Sequence, residues 1–354
     1  MKKAYLGGES LFSPFIFFQK PAFQIESYLE GLYPSRHRIM TGGGLFSLKM
    51  ILKAIHPGPK EIVLLPSYIC PSLLIPFQQA HVRYDFYKID SRLEIDIDHL
   101  KKITLKTPKA LLFINYFGFP HSSQAREILI DLQKNGVCLI EDAVHSFFSQ
   151  FVNLGDFVFN SFRKLLPMDG SAIISHRAIP TGRQTYPKYL FYKSSGQVLR
   201  FLHYALGLRG ERIFLSLLKK AEKVYYEYDD VRFSSWARLL LAKTDIEYQK
   251  SMRRKNYDLL LSMFRDRAVI PFLPAEVVPF GFPIRVKNRN EVRETLMSRH
   301  IYCPVHWKLP SEISASTFPE SVQLSEQILT IPLSQNLEEK EAFRLIETIK
   351  ESVK

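Results

Sequence analysis

The sequence predicts an α/β protein with a large three-layer αβα domain, built on a mostly parallel sheet, and a small C-terminal α+β domain. Between about residues 40 and 180, short apolar segments alternate with segments of helical spacing. Strands that alternate with helices in this way form a mostly parallel sheet covered on both faces. From about residue 270, short strands and charged amphipathic helices follow, which is typical of a smaller α+β domain. We therefore predict a large domain at 1–250, with a helical linker region at about 185–260, and a small domain at 251–354.

The elements of the large domain follow from apolar spacing and from turn residues. TGGG at 41–44 predicts a turn, and GLFSLKMILKAI after it has helical spacing. A second apolar helix is predicted through residue 80, and REILIDLQKNG forms a helix that ends at glycine. The predicted strands are EIVLLP at 61–66, VRYDFYKID at 82–90, KALLFINYFG at 109–118 and VCLIED at 137–142. Ligands of such sheets bind beyond the carboxyl ends of the strands, where PSY at 66–68, NYFG at 115–118 and ED at 141–142 fall.

The helical linker region is rich in aromatic and charged residues, as in GERIFLSLLKKAEKVYYEY. A basic amphipathic stretch of this kind could touch a membrane surface, but packing against the body or a second subunit is the more common outcome. The predicted strands of the small domain are GFPIRVKN at 281–288, IYCPVHW at 301–307 and LTIPL at 329–333. Its predicted helices are NEVRETLMSRHI at 290–301 and EEKEAFRLIETIKESVK at 338–354.

The charge of the chain indicates which classes of binding partner to expect. The formal net charge is +13, but the cations are spread along the chain in short pairs such as Lys101-Lys102. Because a nucleic-acid-binding tail would show a block of Lys and Arg, we predict no nucleic-acid partner. A solvated basic surface is the favoured interpretation, and an anionic small substrate is the second.

The cysteines and the apolar runs indicate the compartment. Cys70, Cys138 and Cys303 form no CxxC pair, so we expect neither a disulfide nor a metal site, and a reducing cytoplasm is the natural setting. The N-terminal apolar run is broken by Pro14 and preceded by Glu9, which does not fit a signal peptide. No segment reaches the length of a membrane span, so we predict no integral membrane segment.

Four features together match what pyridoxal phosphate requires from a protein. Lys164 offers an amine for the Schiff base, and Asp142, at the end of VCLIED, offers a carboxylate for the pyridine nitrogen. The glycines of TGGG open a helix whose N–H groups can bind a phosphate. His145 can pack on the cofactor ring or hydrogen-bond its phenolic oxygen. Each feature alone is more often a surface lysine, a cap, a turn or a core histidine, and their order in the chain carries the prediction.

These motifs resemble those of the DegT/DnrJ/StrS-type sugar aminotransferases, which have the aspartate-aminotransferase-like fold of pyridoxal phosphate enzymes. The resemblance runs from about residue 40 to 350, through GGLFSLKMILKAIHPGPKEIVLLPSY, CLIEDAVHSF and GDFVFNSFRKLLPMDGSAII. Its most specific part is EDxxH together with SFxK and the downstream DG. The resemblance implies that the large domain binds the cofactor and that two subunits form a homodimer.

The resemblance also implies roles for individual residues. Lys164 would form the Schiff base and move the proton, and Asp142 would pair with the pyridine nitrogen. Ser161 would bind the phosphate together with the backbone of the glycine turn, at Gly43, Gly44 and Leu45. His145 falls where the family has Gln or His near the phenolic oxygen. Either Tyr68 or His145 would stack on the ring.

Several positions depart from the family pattern and indicate a divergent branch. Only Arg163 separates SF from Lys164, where three residues are usual, and Arg163 is either structural or helps to hold an anionic group. Cys70 takes the place of a stacking aromatic residue, and DGG reads DGS. VRFSSWARLL at 231–240 lacks the Asn that reaches the partner subunit's phosphate in relatives. His306 and Trp307 either line the substrate entrance or belong to the core.

The predicted activity is transfer of an amino group from an amino acid, with glutamate expected, to a keto-sugar on a nucleotide carrier. The setting would be polysaccharide or glycoconjugate biosynthesis in the cytoplasm. One alternative is another pyridoxal phosphate reaction, such as dehydration of a deoxysugar precursor; relatives of that type replace the Schiff-base lysine, often with His, so Lys164 argues against it. A second alternative is a non-catalytic protein with this fold, which the retained set Asp142, His145, Ser161 and Lys164 makes hard to explain.

Overall fold

The computed structural model describes residues 6–7, 12–164, 166–333, 337 and 339–353. Within these residues the strands are β1 (Leu6–Gly7), β2 (His37–Thr41), β3 (Ile62–Pro66), β4 (Arg83–Tyr87), β5 (Ala110–Ile114), β6 (Cys138–Asp142), β7 (Phe157–Phe159), β8 (Ser171–Ser175), β9 (Gly281–Arg285), β10 (Ile301–Tyr302) and β11 (Ile328–Pro332). The helices are α1 (Ile25–Leu32), α2 (Gly44–Ile55), α3 (Leu74–Gln79), α4 (Ile97–Ile103), α5 (Ser123–Lys134), α6 (Pro187–Leu206), α7 (Glu211–Tyr225), α8 (Ser235–Ala242), α9 (Ile246–Phe264), α10 (Arg289–Ser298), α11 (Pro319–Gln327) and α12 (Glu339–Ser352). In this described part, no helix combines the length and the apolar character needed to cross a membrane.

Seven strands form one sheet in the order β2-β8-β7-β6-β5-β3-β4. Strand β3 pairs in parallel with β4 and β5, and β5 pairs in parallel with β6, whereas β2 and β8 are antiparallel. Every residue of β5 is buried, as are all but the first residues of β3 and β6. Continuous burial of this kind is expected for parallel strands covered by helices on both faces. The predicted α/β fold with a mostly parallel sheet is confirmed.

The described residues divide into two compact units. The first unit comprises residues 12–51 and 159–246, and the second comprises 6–7, 52–158 and 247–353. The domain boundary that we predict at residue 250 stays a prediction.

In the first unit, α6 and α7 form a helical hairpin. α6 ends at Gly207, whose φ of 73° lies in the left-handed region that glycine adopts without a steric penalty. The aromatic residues of the hairpin pack on α2, and the buried residues of this cluster are Phe46, Tyr186, Tyr189, Ala221, Tyr225 and Val231. The predicted helical region at about 185–260 is confirmed as the helices α6 to α9.

In the second unit, side chains at loop ends start the helices that cover the parallel strands. The Asp96 carboxylate accepts a hydrogen bond from His99 N at the start of α4, and the Ser122 hydroxyl accepts one from Ala125 N at the start of α5. Near the C-terminus, β9 and β11 form an antiparallel pair, and β1 pairs in parallel with β10.

The predicted strand at 301–307 is longer than the observed one. Strand β10 contains only Ile301–Tyr302. Pro304 follows, and because a proline has no N–H to donate, the strand ladder ends before it. The strands β2, β7 and β8, which belong to the main sheet, were not among the predicted elements.

Candidate active site

A network of hydroxyl groups fixes the glycine turn before α2 in the first unit. The Thr41 and Ser47 hydroxyls lie 2.7 Å apart, and Ser47 lies 2.8 Å from the Ser171 hydroxyl. Ser171 donates in turn to the Asn160 carbonyl at 2.6 Å. The turn is therefore tied both to β8 and to the segment that leads to Lys164.

The N-terminus of α2 is suited to an anion. The helix begins at Gly44, so the N–H groups of its first turn have no acceptor within the helix. No acidic residue lies in that first turn. These N–H groups and the helix dipole favour a negatively charged group at this end.

Ser161 lies against Gly44. A Cβ atom built on Gly44 would be 3.0 Å from the Asn160 carbonyl oxygen, 3.4 Å from Ser161 Cβ and 3.8 Å from Ser161 Oγ. Glycine at this position thus allows the segment at 160–161 to approach the start of the helix. The structure brings the predicted residues Gly43, Gly44, Leu45 and Ser161 together at one helix end; their role in binding a cofactor stays a prediction.

The close approach at Gly44 can be tested by adding a single methyl group. We expect Gly44→Ala to lower the free energy of unfolding by about 1–3 kcal/mol, because the new Cβ is pressed against the backbone at Asn160. Gly31 in α1 is the matched control, since a Cβ there meets nothing within 4 Å. Gly31→Ala should raise stability by about 0.5–1 kcal/mol, as expected for a glycine inside a helix. Urea unfolding of both variants measures the difference, and equal effects would contradict the proposed packing.

Lys164 is partly buried and lies at the end of the short 3-10 helix Phe162–Lys164. Its backbone N–H contacts the Ser161 carbonyl at 3.4 Å, so one turn separates the predicted phosphate ligand from the predicted amine. The lysine therefore belongs to the same segment that packs on the glycine turn.

Arg163 binds carboxylates of the protein. Its guanidinium lies 2.9 Å from Glu222 and 3.6 Å from Asp169, and it covers the ring of Tyr225 at 5.5 Å from the centroid. Of the two roles left open by the sequence, these contacts favour the structural one.

Asp142 lies at the carboxyl end of β6, as predicted, and is 3% exposed. Its Oδ1 accepts a hydrogen bond from Val144 N at 2.8 Å, which orients the carboxylate at the end of the strand. The backbone of Asp142 pairs with Ile114 of β5.

The neighbouring carboxylate, Glu141, is used inside the protein. Its Oε2 accepts hydrogen bonds from Leu154 N at 2.8 Å and Gly155 N at 2.9 Å, and its Oε1 accepts one from Asn115 Nδ2 at 2.8 Å. Burial raises the pKa of Glu141 above its ordinary value, although these hydrogen bonds act in the opposite direction. Of the two adjacent acids, Glu141 is therefore the one whose hydrogen bonds hold the loop at residues 154–155.

The His145 ring stacks between two aromatic residues of the second unit. Its centroid lies 4.1 Å from that of Phe280, with an interplanar angle of 6°, and 5.3 Å from that of Trp307, with an angle of 21°. Phe117 N donates to His145 Nδ1 at 3.3 Å, so the proton of the neutral ring lies on Nε2. This packing favours hydrogen bonding through Nε2 over stacking on a cofactor ring.

Tyr68 is fully buried in the same aromatic cluster. Its ring lies 5.6 Å from Tyr116 and 5.4 Å from Trp307, and its hydroxyl donates to the His306 carbonyl. Burial raises the pKa of Tyr68, which keeps the phenol protonated. Tyr68 and His145 therefore both contact the ring of Trp307. Trp307 is 8% exposed and packs as a core residue.

Sequence reasoning missed two residues next to the predicted ones. Phe280 stacks on His145, and the Tyr225 phenol lies against Gly43. Neither contact has a local sequence signal, because the partners are far apart in the chain and no motif includes them.

Several known proteins are similar to this chain in sequence or in fold. No protein-family model matches the chain. A GDP-4-keto-6-deoxy-D-mannose 3-dehydratase of Escherichia coli O55:H7 is 24% identical over 322 residues, which cover 79% of this chain and 76% of that protein. Among solved structures, PseC of Helicobacter pylori, an aminotransferase involved in the biosynthesis of pseudoaminic acid, has a TM-score of 0.71 and 12% identity and covers 100% of this chain and 99% of its own.

A crystal structure of a DegT DnrJ EryC1 StrS aminotransferase from Brucella abortus has a TM-score of 0.67 and 19% identity and covers 97% of this chain and 91% of its own. The chain has the fold of the DegT/DnrJ/EryC1/StrS aminotransferases. The predicted aspartate-aminotransferase-like architecture is thereby confirmed.

The residues of this aminotransferase fold fit pyridoxal phosphate at the positions that the structure describes. Glycine at residue 44 lets the backbone of Asn160 and the Ser161 side chain approach the start of α2, so that a serine hydroxyl lies beside the N–H groups of that helix end. A buried carboxylate stands at the end of β6, and an amine follows the serine by one turn. Anion-binding N–H groups, an acceptor for a pyridinium nitrogen and a primary amine are the donor set that this cofactor requires.

Proposed function

We propose that this protein is a pyridoxal phosphate-dependent aminotransferase that transfers an amino group from glutamate to a nucleotide-linked keto-sugar. The observation that carries the proposal is the packing of Ser161 against Gly44 at the start of α2, with Lys164 one turn beyond the serine. The fold shared with sugar aminotransferases supports it. The pathway that we propose is polysaccharide or glycoconjugate biosynthesis.

In this proposal the glycine turn and Ser161 hold the phosphate, and Lys164 supplies the amine. The N–H groups of Gly44 and Leu45 and the Ser161 hydroxyl would bind the phosphate, with Gly43 as part of the turn that presents these groups. The Lys164 amine holds the cofactor and moves a proton to and from the substrate carbon. Bound pyridoxal phosphate supplies an electron sink for the charge that develops at that carbon.

We propose that Asp142, His145 and Tyr68 tune the ring of the cofactor. The Asp142 carboxylate, oriented by Val144 N, keeps the pyridine nitrogen protonated. His145 would donate from Nε2 to the phenolic oxygen, in the tautomer that the Phe117 N–H favours by donating to Nδ1. Tyr68 contributes only its ring, because its hydroxyl is already bonded to the His306 carbonyl.

Dehydration of a keto-sugar is the second candidate, because the chain resembles a 3-dehydratase over 322 residues. The two reactions differ in where the nitrogen goes. Amino transfer leaves it on the sugar, whereas dehydration through an amine adduct returns it as ammonia. Lys164 favours amino transfer, since the family resemblance implies that relatives of the dehydratase type replace this lysine.

The test supplies the purified protein with pyridoxal phosphate, ¹⁵N-glutamate and GDP-4-keto-6-deoxy-D-mannose or its dTDP-glucose-derived counterpart. We expect ¹⁵N in an amino-sugar nucleotide and stoichiometric 2-oxoglutarate, detected by mass spectrometry. Release of ¹⁵N as ammonium with a deoxygenated sugar would establish the dehydratase instead. No formation of the corresponding keto acid from glutamate or from any other amino donor would contradict both.

We further propose a cytoplasmic homodimer. Cys70, Cys138 and Cys303 form no disulfide, which suits a reducing compartment. The hairpin of α6 and α7 exposes large apolar side chains, which a second copy would cover; they are Phe191, Leu206, Leu208, Ile213 and Leu215.

Sedimentation equilibrium tests the dimer against the 41.2 kDa mass of one chain. We expect twice that mass at micromolar concentration. Leu208→Asp with Ile213→Asp should shift the protein to the monomer, because two charges would be buried without partners. Leu105→Asp is the control, since Leu105 is an exposed apolar residue, even more exposed than Leu208 and Ile213, but lies outside the hairpin. A monomeric wild type would contradict the proposal.

A further inference from the structure

The phenol of Tyr225 fills the side-chain position of Gly43. A Cβ atom built on Gly43 would overlap the Tyr225 hydroxyl oxygen and lie 3.2 Å from the Cζ atom of the same ring. Tyr225 is the last residue of α7 and is 4% exposed. The Tyr225 hydroxyl therefore lies at the glycine turn before α2, although α7 is far from this turn in the sequence.

The Tyr225 hydroxyl makes no hydrogen bond within the part of the chain that the structure describes. Other buried tyrosines donate to carbonyl groups, as Tyr116 does to Tyr68 and Tyr257 does to Ile270, each at 2.6 Å. A ligand at the glycine turn would supply an acceptor for this hydroxyl, which lies at the side-chain position of Gly43. Burial raises the pKa of Tyr225 well above its ordinary value, as does the nearby Asp169 carboxylate, so the hydroxyl keeps its proton.

The ring that carries the hydroxyl is held from several sides. Its centroid lies 4.7 Å from Phe46 and 5.3 Å from Tyr189, and the Arg163 guanidinium covers it at 5.5 Å. Arg163 is itself fixed by Glu222 and Asp169. The position of the donor is therefore set before any ligand binds, which lowers the cost of binding.

We propose that the Tyr225 hydroxyl donates a hydrogen bond to the phosphate group of the cofactor, beside the N–H groups of Gly44 and Leu45 and the Ser161 hydroxyl. The proposal rests on the proposed function and extends it, because it assigns a phosphate ligand that no motif of the sequence contains. It also explains why residue 43 is a glycine. A side chain at that position would displace the phenol.

The test compares cofactor affinity with and without the phosphate. Apo-protein of the wild type and of Tyr225→Phe is titrated with pyridoxal phosphate and with pyridoxal, and the dissociation constants are measured by equilibrium dialysis. We expect the Kd for pyridoxal phosphate to rise about 10- to 100-fold, the range for a hydrogen bond to a charged group, and the Kd for pyridoxal to stay the same.

Tyr189→Phe is the matched control. Tyr189 belongs to the same aromatic cluster, is 1% exposed and has a buried hydroxyl without a hydrogen bond in the described structure. Its loss should leave both dissociation constants unchanged. An unchanged Kd for pyridoxal phosphate in Tyr225→Phe, or an equal loss for both ligands, would overturn the assignment.

A second measurement separates this inference from the proposed function. Inorganic phosphate should raise the thermal unfolding temperature of the wild type more than that of Tyr225→Phe. If the wild type binds no pyridoxal phosphate but shows this difference, the proposed function fails and the phosphate ligand stands. If phosphate stabilises both proteins equally, the phosphate ligand is refuted whatever the cofactor titration shows.

Discussion

Replacing Lys164 with alanine is expected to lower the rate of amino transfer by about 10³-fold or more. The amine is assigned two tasks, holding the cofactor and moving the proton, and proton transfer alone contributes about 10² to 10⁴ in rate. Lys164 is partly buried and its backbone completes the 3-10 helix, so the side chain can be removed with little effect on the fold. The measurement is the single-turnover rate of 2-oxoglutarate formation from glutamate.

Lys188→Ala is the control for this experiment. Lys188 is exposed, lies in the first turn of α6 and is the next lysine along the chain. Its removal should leave the rate within a factor of two or so, as expected for a surface substitution. Normal turnover in Lys164→Ala, with an unchanged unfolding curve, would show that another group performs the chemistry.

Replacing Glu141 with alanine is expected to lower the free energy of unfolding by about 3–5 kcal/mol. The carboxylate is fully buried and accepts hydrogen bonds from Leu154 N, Gly155 N and Asn115 Nδ2. Its loss would leave those donors without an acceptor, and each unsatisfied buried group costs about 1–3 kcal/mol. Glu127→Ala, in the exposed face of α5, should change stability by less than about 0.5 kcal/mol. Urea unfolding distinguishes the two, and equal small effects would contradict the hydrogen bonding described.

Glu141 is also expected to make the stability of the folded protein depend on pH. Because burial raises the folded-state pKa of Glu141 above its value of 4.5 in the unfolded chain, the folded state binds the proton more tightly. The stabilising contribution is complete below pH 4.5 and is lost as the pH rises through the folded-state pKa. The stability of the wild type relative to Glu141→Gln should therefore fall as the pH rises above 4.5. A relative stability that rises with pH would reverse this assignment.

The sequence predicts the parallel strands well because their physical signal is local. Strands β3, β5 and β6 are short apolar runs bounded by turn residues, and the position of Asp142 follows from the end of β6. Strand β2 was not predicted because HRIMT has few apolar residues, and its place in the sheet depends on antiparallel pairing with β8. Pairing between distant segments has no signature in either segment alone.

The candidate site shows the same limit. The sequence predicts the glycine turn, Ser161 and Lys164 as site residues, because each of them belongs to a short sequence motif. The partners of Arg163 could not be predicted in this way, because Glu222 lies in α7 and contacts Arg163 only after the hairpin of α6 and α7 has packed. The stack of Phe280 on His145 likewise depends on tertiary structure, and it favours one of the two roles that the sequence leaves open for the histidine.

The most direct test of the central claim is to reduce the purified holoprotein with borohydride and map the peptide that carries the pyridoxyl group. We expect a visible absorption band that glutamate bleaches, and, after reduction without glutamate, a pyridoxyl group on Lys164. A label on another lysine, or no band and no label after pyridoxal phosphate is added, would contradict the central claim.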